Sequence, residues 1–241
     1  RLTSIFQDLK NRIVNKPISE VIVSSEDIKI KSSDTNRDLN DQLAAITNVS
    51  LFKNNTAWLT ETDVNFCAQS FKSVGYEHAD APVLTVLGAV LRNGFLHSAI
   101  REKGGAYGSG AIQDMSTKTF KFFSYRDPNV TKTFDAFNES INWVIKSLTK
   151  EKLEEGILNI ISSIDKPSSP ASEALSDYNS NNNGFSQQMR KKFRSKVLET
   201  TVDRLTEVAQ KYLTTGCKKS ILSNKNSEKE LSSLDFEINR V

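Results

Sequence analysis

The sequence predicts an α+β fold, a two-layer sandwich in which helices pack on one face of a largely antiparallel sheet. Apolar residues recur at helical spacing in several segments, while other segments alternate or are rich in β-branched and aromatic residues. Strands and helices do not alternate regularly, as they would around a parallel sheet. With 241 residues, 37% of them hydrophobic, the chain can bury a substantial core.

Residues 1–48 form a separate part of the predicted architecture. An apolar repeat (Leu2, Ile5, Phe6, Leu9 and Ile13) predicts a helix over residues 2–15 that ends before Pro17. The segments EVIVSS and DIKIKSS predict strands, and Leu39, Leu43 and Ile46 predict a short helix. These elements are too few to form a core, so we expect the end of a preceding domain or a packing annex.

Residues 49–57 are expected to be a linker and residues 58–241 the main domain. Asp80 is predicted to cap a broadly buried helix that runs to about Ile100, and two glycines that follow can end it. AYGSGAIQDM and TFKFFSYRDP then predict two strands. The remaining predicted elements are helices over Phe134–Leu148 and Leu153–Ile164, a loop with a short helix in the Ser- and Asn-rich stretch after Pro167, a basic helix, a helix from Thr200 to Gly216 and a strand KKSILSN.

Charge and hydropathy argue against two classes of partner, nucleic acids and membranes. The net charge of +3 results from 32 basic and 29 acidic residues, a balance that does not indicate a nucleic-acid partner. The strongest basic cluster, RKKFRSK at 190–196, is better explained as a solvated helix face than as a nucleic-acid module. No stretch of 18 or more apolar residues predicts a membrane span.

The residues that bind metals or act as nucleophiles do not form a known pattern. Cys67 and Cys217 are far apart in the chain, and VGYEH, which ends at His78, has a valine where the zinc-protease motif H-x-x-E-H requires its first histidine. With His97 as the only other histidine, we expect no metal site in this chain. No G-x-S-x-G or phosphate-binding loop is present.

The segment LHSAIREKGGAYGSGA, residues 96–111, contains the candidate chemistry. Four of the ten glycines fall between positions 104 and 110, where the long helix should end. A tight turn there would place Arg101 at a helix end and Tyr107 at a strand start, so that a permanent cation and a phenolic donor could bind one oxyanion or peptide carbonyl. Equally, Arg101 could favour the negative helix end while Tyr107 packs. The spacing leaves both interpretations open.

At these residues the sequence resembles a known family. LRNGFLHSAIREKGGAYGSGA, FKFFSYRDPN and SSIDKPSSPASEA are similar to the C-terminal part of presequence proteases in the pitrilysin (insulinase) family of zinc metallopeptidases, the bacterial members in particular. The similarity extends from at least Trp58 to Leu213. It implies that residues 58–241 are a C-terminal pitrilysin-type domain and that residues 1–48 end the preceding one.

The resemblance also implies a function. In this family, two halves enclose a chamber that admits unstructured peptides, and the N-terminal half binds zinc through H-x-x-E-H. This chain lacks that motif, so we expect it to be inactive alone and to act with the N-terminal half. Transferred by motif, Arg101 and Tyr107 are the catalytic residues that reach the substrate. The glycines of the strand that follows would let a peptide approach closely, so Gly108, Ser109 and Gly110 are predicted to be substrate-binding residues. The implied compartment is a bacterial cytoplasm or an organelle matrix. An alternative is a non-catalytic scaffold or peptide-binding subunit.

Overall fold

The computed structural model describes residues 2–14, 22–26, 55–182 and 184–240. The chain divides into two compact units. The first comprises residues 1–50 and 168–185, and the second comprises residues 51–167 and 186–241.

The first unit contains two described helices, α1 (Leu2–Val14) and α5 (Pro170–Asn182). The first confirms the helix predicted over residues 2–15, and its apolar side chains are exposed. The second lies in the Ser- and Asn-rich stretch, where a short helix was expected. EVIVSS was predicted to be a strand, but its described part, residues 22–25, contains no strand. DIKIKSS and the helix predicted around Leu43 lie outside the described residues.

The second unit is built on a sheet of six described strands: β1 (Asn55–Thr60), β2 (Asn65–Lys72), β3 (Gly108–Asp114), β4 (Thr119–Asp127), β5 (Lys218–Asn224) and β6 (Phe236–Arg240). They lie in the order β3-β4-β2-β5-β1-β6. Three neighbouring pairs are antiparallel (β3-β4, β4-β2 and β2-β5), and two are parallel (β5-β1 and β1-β6).

Helices cover one face of this sheet and confirm the predicted sandwich. Phe120 and Phe122 of β4 are fully buried, and the Phe122 ring lies 5.5 Å from the ring of Phe137. On the opposite face, Phe123 and Tyr125 are 36% and 39% exposed. The helices of this unit are α2 (Ala81–Leu91), α3 (Thr131–Ser147), α4 (Lys150–Ile164), α6 (Gln187–Leu198), α7 (Val202–Leu213) and the short α8 (Glu228–Ser233).

The most buried of these helices is α2, which continues directly into a π-helical segment, Arg92–Glu102. Together they form a helix of 22 residues, Ala81–Glu102, that is long and apolar enough to cross a membrane. Ten of the eleven residues of α2 are nevertheless buried within the unit, which explains their apolar character as that of a core helix.

Three strands were not predicted, because their patterns are masked by polar residues. In β2, Asn65 and Gln69 occupy buried positions that normally hold apolar residues. Asn65 is satisfied by a bond from its Nδ2 to the carbonyl of Asp127 (3.0 Å). In addition, β1 begins at Asn55, inside the expected linker, and β6 with α8 follows the last predicted strand.

The predicted cap of α2 is wrong in its chemistry. Asp80 immediately precedes α2, but its side chain accepts no hydrogen bond from the helix. Its carboxylate instead accepts from Lys211 Nζ (2.9 Å), from Tyr212 Oη (2.7 Å) and from Arg204, all on α7. The sequence contains a good capping residue, but partners more than 120 residues away compete for it.

Candidate functional site

The candidate site begins in the π-helical segment after α2. A π-helix bonds residues five apart, and Lys103 N–H donates to the carbonyl of Ser98 (3.0 Å) in this pattern. The helix was predicted to run to about Ile100, and it continues to Glu102 in the wider winding. Such segments occur frequently at functional sites.

Two glycines then reverse the chain. Gly105 has φ of +79°, a conformation that favours glycine. A Cβ on Gly104 would lie 2.5 Å from the carbonyl oxygen of Ile100, so no side chain fits there. Asn129 Nδ2 donates to the carbonyl of Gly104 (2.7 Å) and fixes the turn from outside. The sequence of helix, glycine turn and strand predicted for this segment is therefore present.

Both candidate catalytic side chains lie at the surface of this turn. Arg101 is exposed, and its Nη1 lies 3.2 Å from Nε2 of His97. Tyr107 is 63% exposed, and its backbone N–H donates to the carbonyl of Arg126 (3.2 Å) next to the start of β3. Within the described residues the two side chains are not hydrogen-bonded to each other. The side chains of Arg101 and Tyr107 are both exposed to solvent, and they contact different neighbouring residues.

The phenol ring of Tyr107 has partners that the sequence analysis did not identify. The Tyr125 ring lies 5.6 Å from it, and the Arg126 guanidinium carbon lies 5.6 Å from its ring centroid. These contacts hold the ring while its hydroxyl makes no hydrogen bond within the described residues. The alternation in FKFFSYRD, which places Phe123 and Tyr125 on the face away from the core, is the signal that could have indicated this neighbour.

The three predicted substrate-binding residues, Gly108, Ser109 and Gly110, open strand β3. A Cβ on Gly108 would lie 2.5 Å from atoms of the Tyr125 ring, and one on Gly110 would lie 2.7 Å from the Phe123 ring. The two glycines therefore make room for aromatic rings of β4. Ser109 Oγ donates to the carbonyl of Leu96 (3.2 Å) and joins β3 to the π-helical segment. Their contact with a substrate stays a prediction.

No group of three or more His, Cys, Asp and Glu side chains that could hold a metal ion occurs among the described residues. His78 lies in the turn before α2, where the Asp80 N–H donates to its Nδ1 (3.0 Å). Burial raises the pKa of the Cys67 thiol to about 12, so this cysteine stays protonated at neutral pH.

The basic cluster at 190–196 lies on α6, and two of its basic residues form ion pairs with acidic side chains. Arg194 binds Asp165 through two nitrogens, with Nε 2.8 Å from Oδ1, and Lys196 Nζ lies 2.6 Å from Glu199 Oε2. Phe193 stacks on Tyr76 with ring centroids 5.0 Å apart. These contacts favour the interpretation of a solvated helix face packed on the domain.

Comparison with known proteins identifies relatives. The family model described as the PreP C-terminal domain matches residues 55–223. The mitochondrial presequence protease of Danio rerio is 36% identical over 168 residues, which are 68% of this chain and 16% of that protein. The chain thus spans about a sixth of the length of this relative.

Solved structures share the fold at low sequence identity. The inactive domain of an M16 peptidase from Pseudomonas fluorescens is 14% identical with a TM-score of 0.55, over 71% of this chain and 44% of that one. Pitrilysin is 12% identical with a TM-score of 0.57, over 78% of this chain and 22% of its own. At such identities the likeness concerns the fold alone.

Proposed function

Because the chain belongs to the family of presequence-protease C-terminal domains, we propose that it is the zinc-free C-terminal part of a zinc metallopeptidase that degrades short unstructured peptides in an enclosed chamber. The relatives that support this proposal are named as mitochondrial presequence proteases. In this proposal, residues 58–241 are the C-terminal domain and residues 1–48 belong to the preceding domain.

The observation that carries the proposal is the exposure of Arg101 and Tyr107 on one continuous helix-turn-strand unit. Arg101 is a permanent cation with donors only, and the hydroxyl of Tyr107 can donate one hydrogen bond. Neither side chain contributes to the core, and the turn between them is fixed by Gly104 and Gly105. Exposed donors on a fixed backbone suit recognition of an oxygen atom that gains negative charge.

In the parent protein, zinc bound by the N-terminal half would activate a water molecule and polarise the scissile carbonyl. The residues of this chain would act on the same peptide from the opposite side. The Arg101 guanidinium and the Tyr107 hydroxyl would donate to the peptide carbonyl and stabilise the charge that develops on its oxygen. The β3 start at Gly108, Ser109 and Gly110 would lie beside the bound peptide. In this proposal the partner of the chain is the N-terminal half of the same protein. The compartment proposed from the relatives is an organelle matrix or a bacterial cytoplasm.

A complementation assay tests this division of labour. The chain is purified alone and mixed with the zinc-bearing half of its parent, and cleavage of a short unstructured fluorogenic peptide is measured. We expect no cleavage by the chain alone and cleavage by the mixture that a zinc chelator abolishes, because the metal and the donors lie on different halves. Hydrolysis by the chain alone would contradict the proposal. A mixture that binds the peptide without cleaving it would favour the non-catalytic scaffold.

A further inference from the structure

We propose that His97 and Glu102 position the guanidinium of Arg101 for its substrate. This inference rests on the proposed function, since it concerns the same arginine. His97 does not reach the substrate in this scheme, and it acts through the orientation of its neighbour. Neither residue belongs to the motif-based assignment of Arg101 and Tyr107.

The π-helical winding brings the three side chains together. His97 and Glu102 are five residues apart, and in an α-helix they would point about 140° away from each other around the axis. In a π-helix, residues five apart are separated by about one turn, and the residue four apart lies beside them. His97 Nδ1 accordingly lies 3.4 Å from Glu102 Oε1, and His97 Nε2 lies 3.2 Å from Arg101 Nη1.

The chemistry of the contacts fixes their direction. A guanidinium only donates hydrogen bonds, so Nε2 of His97 must be the acceptor, and the imidazole is then neutral with its proton on Nδ1. A carboxylate beside Nδ1 favours this tautomer. Glu102 therefore selects the form of His97 that can accept from Arg101. In an α-helix, Glu102 would lie too far around the axis to contact His97.

The benefit to Arg101 is preorganisation. An exposed arginine side chain has many rotamers, and fixing them on substrate binding costs free energy. Among the described residues, His97 is the side chain that Arg101 contacts by a hydrogen bond. A guanidinium held in place before the substrate arrives loses less entropy in the transition state. Removing His97 should therefore lower the rate while the fold and the zinc content stay intact.

The test uses the full-length parent enzyme, a short unstructured peptide and four variants: His97→Ala, His97→Gln, Arg101→Ala and the double variant His97→Ala/Arg101→Ala. We expect Arg101→Ala to lower kcat/KM by about 10²- to 10³-fold. His97→Ala should lower it by about 3- to 10-fold, mostly through kcat, because one exposed hydrogen bond is lost. His97→Gln retains an acceptor at a similar reach and should recover to within about 2-fold.

The double variant separates positioning from an independent role. If His97 acts through Arg101, adding His97→Ala to Arg101→Ala should cause no further loss. Additive losses, or wild-type turnover of His97→Ala beside an impaired Arg101→Ala, would overturn the positioning role and leave the proposed function intact. Wild-type turnover of Arg101→Ala would instead reject the role of Arg101 itself. Zinc content and the unfolding midpoint serve as controls in every variant.

Discussion

The two ends of the long helix formed by α2 and the π-helical segment differ in how their charged residues are held. At the first end, the side chain of Asp80 is 2% exposed and accepts hydrogen bonds from three side chains of α7. At the other end, Arg101 is exposed, and among the described residues its side chain is hydrogen-bonded to one other side chain, that of His97. Both ends belong to one continuous helix that packs in the core of the unit. The difference indicates that the first end contributes to stability and that the second is available for recognition.

The electrostatics of Asp80 agree with this division. Burial acts to raise the pKa of its carboxyl, but hydrogen bonds from Lys211 and Tyr212 and the charge of Arg204 outweigh burial and hold the pKa below its usual value. Asp80 is therefore ionised at neutral pH although it is buried. A buried carboxylate that is well paired is costly to disrupt, because its partners lose their acceptor.

The largest effect on stability is expected from Asp80→Ala. The substitution removes the acceptor for Arg204, Lys211 and Tyr212 and should lower the free energy of unfolding by about 2 to 3 kcal/mol. The partly exposed cations can be rehydrated, which keeps the loss below that of a fully buried pair. Denaturant unfolding of the chain measures it. Asp165→Ala is the matched control, because it removes the partner of Arg194 at the surface and should change the midpoint far less. Equal losses in the two variants would contradict the distinction.

The Asp80 carboxyl should also have a smaller effect, on how the free energy of unfolding changes at acidic pH. A carboxyl whose pKa is lowered by folding stabilises the folded state above its unfolded pKa, near 3.9, and this stabilisation is lost as the pH falls through the folded value. Wild-type unfolding free energy should therefore decline below about pH 4, and the decline should be shallower in Asp80→Ala. Chemical denaturation from pH 6 to pH 2.5 provides the measurement. Identical pH profiles of the two proteins would show that Asp80 does not contribute.

The sequence predicts the local structure at the Arg101 end of the long helix better than the contacts at its Asp80 end. The helix, turn and strand around Arg101 and Tyr107 follow from local chemistry, since Gly104 and Gly105 themselves form the turn that ends the helix. The role of Asp80 depends on α7, more than 120 residues later, and no local pattern reveals it. Strand β2 was missed because Asn65 and Gln69 occupy core positions.

Within the candidate site, the winding and the neighbours could not be predicted. Helical periodicity predicts a helix through Ile100, but the same apolar spacing does not distinguish α-helical from π-helical bonding. The contact of His97 with Glu102 depends on that bonding. The contact of Tyr107 with Tyr125 depends on the register of β3 and β4, in which Gly108 pairs with Tyr125. Long-range register is the information that a single sequence lacks.

The most direct test of the role proposed for the end near Arg101 and Tyr107 is Tyr107→Phe in the full-length parent, measured as kcat/KM on an unstructured peptide together with the unfolding midpoint. The substitution removes a hydroxyl and keeps the ring beside Tyr125, so Tyr125→Phe is the matched control and should retain wild-type turnover. We predict that Tyr107→Phe lowers kcat/KM by about 10²- to 10³-fold with an unchanged midpoint and full zinc content. Wild-type turnover of Tyr107→Phe, or a loss of activity that follows a loss of stability, would contradict the account.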